Sequence, residues 1–132
     1  MASILRVNTL TDASSNNSIA TSFIAGGSAK AWLNLNGKNT ISVRGSLNVS
    51  SVTDNGTGDY TTNWSTNFAN TNYSYQGSAS DTNFGTSVFG RSEGSQNTNT
   101  NSLNLGVRTN SGSSNPLQDV TEFLLLTHGD LS

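Results

Sequence analysis

Apolar and polar residues alternate with a period of two along most of the chain. No stretch of ten or more residues repeats apolar side chains at i, i+3, i+4 and i+7, so the pattern predicts strands rather than helices. Ala29, Ala31, Leu33 and Leu35 alternate with Lys30, Trp32, Asn34 and Asn36, which sends the two sets to opposite faces of one strand. Ile41 and Val43, then Leu47 and Val49, continue the alternation until Val52 falls out of phase, and this predicts a bulge near Ser50 and Ser51. Tyr73 and Tyr75 mark a further strand, and Leu103, Leu105 and Val107 another. Residues 120–127 hold the continuous apolar run Phe123, Leu124, Leu125 and Leu126, the pattern of a central strand buried on both faces.

Turn chemistry divides these runs. Asn55-Gly56 stands between the apolar run ending at Val52 and the strand-like residues 60–64. A type I′ turn needs φ > 0 at both central residues, which Gly adopts freely and Asn tolerates, so Asn55 and Gly56 are predicted to make a hairpin turn. Gly26-Gly27-Ser28 reads as a hinge between a short extended leader, residues 1–27, and the remainder, residues 28–132. Residues 78–102 and 110–116 read as loops, with Phe84, Val88 and Phe89 forming either a short strand or loop anchors. Seven or eight strands at these spacings predict an all-β fold: an antiparallel β-sandwich, jelly-roll-like, in residues 28–132.

Composition changes the picture in three ways. Ser, Thr and Asn make up about 44% of the 132 residues, while Leu, Ile, Val and Phe make up about 21%, so the core is small and the surface rich in hydroxyls and amides. A domain with so little apolar material gains stability by association. Charged residues are 11% and the net charge is -2, too little basic character to neutralise phosphates, and nucleic acid is not expected as a partner. There is no cysteine, so disulfides and thiolate metal sites are excluded, which fits assembly in a reducing compartment. No run has the length of a signal peptide or membrane helix, and no membrane insertion is expected. Asn16, Asn48, Asn55, Asn63 and Asn72 each open an N-x-Ser/Thr pattern, as chance produces in a chain of this composition.

Catalytic chemistry finds little to stand on. His128 is the sole histidine, which removes His/His and Cys/His metal or nucleophile pairs, and it lies beside Gly129 and Asp130 as a surface residue would. The eight carboxylates are scattered, with no pairing that marks a glycosidase. Asp54 and Asp59 flank Gly56 and Gly58, but the acidic residue that would complete a calcium loop is missing, and a hairpin explains the segment better. No catalytic residue, cofactor or metal is therefore expected. Trp32, Trp64, Tyr73 and Tyr75 are the candidate surface or interface aromatics, suited to core, subunit contact or stacking on sugar rings.

The residues from 27 to 79 carry a resemblance. Ser28-Ala29-Lys30-Ala31-Trp32 followed by Asn34 and Gly37, the run from Asn48 to Thr61, and Asn72-Tyr73 resemble a module of tail-fibre and other virion structural proteins of marine tailed phages, of cyanophage and pelagiphage type. Ile4 to Leu10 is similar to the leader that precedes that module. Residues 78–116 carry no such motif, and Leu33 and Leu35 stand where bulkier or branched residues are usual. The resemblance implies a homotrimeric β-sandwich without enzymatic activity, located in the virion. On this basis residues 1–27 would attach to other virion proteins or trimerise, and the sandwich would meet a host-surface glycan or protein. A capsid decoration protein is the alternative, and a glycan-degrading, tailspike-like enzyme the second alternative.

Overall fold

The computed structural model describes residues 3–81, 87–90, 98–109 and 116–132, with backbone alone for 87–90 and 109. In chain order the elements are β1 (Thr9–Thr11), β2 (Ser18–Ala20), α1 (Thr21–Gly27), β3 (Ala31–Asn36), β4 (Ser42–Leu47), β5 (Val49–Gly56), β6 (Asp59–Trp64), β7 (Ser74–Ser80), β8 (Ser87–Gly90), β9 (Ser102–Thr109) and β10 (Glu122–His128). Two four-stranded antiparallel sheets pack as a sandwich, one ordered β4-β3-β10-β7 and the other β5-β6-β9-β8.

The period-two pattern positions the core. Ala31, Leu33 and Leu35 of β3 and Phe123, Leu125 and Thr127 of β10 face inward, against Tyr60, Thr62 and Trp64 of β6 and Leu103, Leu105 and Val107 of β9. Three aromatics close one end: Trp64 meets Phe68 edge-on at 5.5 Å and Tyr73 edge-on at 6.3 Å, while Phe68 and Tyr73 stack at 4.3 Å. Burial pushes the Tyr73 phenol pKa up, and its hydroxyl lies 3.0 Å from the carbonyls of both Asn99 and Ser102.

The opposite end is tied by polar groups that join distant parts of the chain. The buried Tyr60 hydroxyl reaches the Gly37 carbonyl at 2.9 Å and Asp119 Oδ1 at 3.1 Å. The Gly58 N–H donates to the same carboxylate oxygen at 2.7 Å. The Gly58 carbonyl in turn accepts from the Val107 N–H at 2.7 Å, and the Gly37 N–H donates to the Val120 carbonyl at 2.9 Å. Burial first, and the Asp119 charge second, raise the Tyr60 pKa well above that of an ordinary phenol.

Three expectations are corrected. The expected tight hairpin joins antiparallel β5 and β6, but Asn55 and Gly56 end β5 and the turn itself is made by Thr57 and Gly58, with Gly56 paired to Asp59 and Gly58 at φ +64°. Gly58 holds the turn because a Cβ there would stand 2.6 Å from the Gln118 carbonyl oxygen. β10 is central but buried on one face only: Leu126 is exposed and Leu124 partly so. Residues 21–27, read as leader and hinge, form a short helix closed by the Ser28 N–H on the Ile24 carbonyl at 3.0 Å. The bulge near Ser50 and Ser51 is present as a register shift between Val49 and Ser51. Val88 and Phe89 lie in β8, whereas Phe84, the tract 91–97 and residues 110–115 lie outside the described residues.

Candidate functional site

The two outer faces of the sandwich differ in chemistry. On the β5-β6-β9 face, outward side chains are amides and hydroxyls that bond to one another. Asn63 Nδ2 donates to Ser51 Oγ at 3.1 Å and Thr53 Oγ1 at 3.4 Å. Asn55 Nδ2 donates to Thr61 Oγ1 at 2.8 Å and Asp59 Oδ1 at 3.3 Å, and Asn104 Nδ2 reaches the same two acceptors at 3.0 and 2.6 Å. This ladder is a surface already satisfied without a partner.

The β4-β3-β10-β7 face is built differently. Its cross-strand register lines up Leu47, Trp32, Leu126 and Gln76 in one row, and Gly45, Asn34, Leu124 and Ser78 in the next. Trp32, Leu47 and Leu126 remain 39%, 48% and 38% exposed. Between the rows lies an open groove of about 480 Å³, floored by Leu33, Gly77 and Leu125 and bordered by Trp32, Asn34, Gln76, Ser78, Leu124 and Leu126. None of these residues is charged. The far edge of the Trp32 indole leans over Gly45, where a Cβ would stand 3.2 Å from Cη2 and 3.3 Å from Cζ3. The Asn34 side-chain oxygen is buried without a hydrogen-bond partner.

The four aromatics singled out from sequence thus separate. Trp64 and Tyr73 belong to the core, Trp32 stands on the apolar outer face, and Tyr75 is exposed in the edge strand β7. Phase along β6 is the signal that could have placed Trp64 inside, since it shares a face with Tyr60. Asp54 Oδ1 accepts from the Gly56 N–H at 3.0 Å and Asp59 Oδ1 is taken up by the amide ladder; among the described residues no group of three or more potential metal ligands exists. His128 ends β10 and is partly buried.

Residues 3–28 carry a third surface of interest. None of them is buried, and Ile4, Leu5 and Phe23 are largely exposed. Asp12 organises the turn between β1 and β2, accepting from the Ser14 and Asn16 N–H groups and from Asn17 Nδ2 at 2.8 Å, and the Asn17 bond leads in lowering its pKa. No family model, curated protein or solved structure matches the chain.

Proposed function

We propose that this chain is a non-enzymatic structural and binding protein, a β-sandwich with one self-satisfied polar face and one unpartnered apolar face. More particularly, we propose that it is a phage virion protein, a tail-fibre or appendage component that forms a homotrimer and presents its sandwich to the host surface. The difference between the two outer faces carries the reading: a domain that binds nothing has no use for Trp32, Leu47 and Leu126 in one exposed row. The resemblance of residues 27–79 to marine phage virion modules supports the location, and the exposed Ile4, Leu5 and Phe23 support a role for residues 3–28 in association or in attachment to other virion proteins. Trimeric display would multiply weak surface contacts into avidity.

Fractionation of purified particles into heads and tails, followed by detection of this chain, tests the proposal. Recovery with tails is the expected result, and recovery with heads would identify a capsid decoration protein instead. Sedimentation equilibrium of the full-length chain tests the trimer, which a stable monomer at micromolar concentration would refute.

A further inference from the structure

We infer that the groove on the β4-β3-β10-β7 face is a binding site for a neutral saccharide, with Trp32 as its stacking platform and Asn34, Gln76 and Ser78 as its hydrogen-bonding border. The inference rests on the attachment reading above and names the ligand class of that face. Charge and aromatic surface select this occupant first. The lining has no charge, so an anionic sugar or a phosphate would be desolvated there without a counter-ion. Trp32 offers an exposed aromatic surface steadied over Gly45, and aromatic rings combine large contact area with little loss of freedom, as the apolar C–H face of a pyranose requires.

The polar groups decide between a saccharide and a second copy of the chain. On the opposite face every amide of the ladder is bonded to a neighbour, whereas the Asn34 oxygen has no partner, and no hydrogen bond among the described residues engages the exposed Gln76 or Ser78 side chains. Covering them with the apolar side chains of another protomer would seal unpaired polar groups into an interface, whereas a polyhydroxyl ligand supplies donors and acceptors together. The groove volume of about 480 Å³ lies within the ~300–1,000 Å³ of small-ligand sites.

The test is titration of the full-length protein with maltohexaose, cellohexaose and mannohexaose to 10 mM, read by tryptophan fluorescence and calorimetry. Trp32 is exposed and Trp64 buried, so a saturable emission change reports the groove. Saturable binding of at least one of the three is expected, weakened at least tenfold by Trp32→Ala and by Gly45→Val, which displaces the indole, and retained in Tyr75→Ala. Absence of binding to all three, or binding that survives Trp32→Ala, overturns the inference. A shift of Trp32→Ala to a smaller species in sedimentation overturns it as well and makes the face a contact between copies. Labelled protein on host cells separates the two levels. Cell binding unaffected by Trp32→Ala ends the groove inference and leaves attachment standing, whereas no cell binding by the unmodified protein ends the attachment reading itself.

Discussion

Replacing Tyr60 by Phe keeps the ring against Phe123 at 5.5 Å and removes only the hydroxyl that ties β6 to the Gly37 and Asp119 segments. No cavity of ring size forms, so the loss is polar. The hydroxyl's bond network includes a carboxylate, and removing one hydrogen bond to a charged group costs about 1.5–3 kcal/mol. The Asp119 oxygen keeps its 2.7 Å bond from the Gly58 N–H, which places the expected loss near the lower half of that range. At roughly 4 °C per kcal/mol for a chain of this size, Tm should fall by about 6–9 °C. Alkaline pH supplies an independent reading. The folded Tyr60 pKa lies above its ordinary value of 10.0, so the unfolded phenol ionises first. The stability that the neutral hydroxyl confers is complete below pH 10 and is lost as pH rises toward the folded value. Urea unfolding between pH 9 and 11.5 should therefore show a declining slope that is shallower in Tyr60→Phe, with the remainder due to Tyr73, whose pKa is raised too. Unchanged Tm and unchanged alkaline slope in the variant would show that the Tyr60 hydroxyl does not tie β6 to the Gly37 and Asp119 segments.

Gly58→Ala should destabilise by about 2–5 kcal/mol in thermal unfolding, because the new Cβ adds left-handed strain at φ +64° to a clash with the Gln118 backbone. Lys38→Met removes two bonds, at 2.8 and 3.1 Å, to the buried Asp81 carboxylate and should cost about 1–3 kcal/mol by urea titration. The Asp12 pKa is lowered from 3.8, so the β1–β2 turn it holds should persist above that pH and open as pH falls below it, followed by the Ser14 and Asn16 amide shifts in NMR.

Much of the sandwich is legible in the sequence because strand side chains alternate strictly: Ala31, Leu33 and Leu35 inside and Trp32 outside follow from phase alone. Where phase carries no information, sequence reading falls short. The run Phe123 to Leu126 is apolar at every position, so whether its outer face is covered depends on what lies over β10, and no strand among the described residues does. The turn after β5 moved from Asn55-Gly56 to Thr57-Gly58 because Gln118 and Asp119, some sixty residues away, close on Gly58. α1 escapes detection since seven residues ending in two glycines have neither the length nor the propensity of a self-sufficient helix. The groove combines three strands distant in sequence, so Gln76 and Ser78 could not be joined to Trp32 before the register was known.

Cryo-electron microscopy of the intact phage particle, at a resolution that separates strands, is the decisive test of the proposed virion role. Three copies are expected around a tail appendage, with residues 3–28 toward the particle and the Trp32 groove open to solvent. Density for the sandwich on the capsid shell, or no density for it anywhere on the particle, would contradict it.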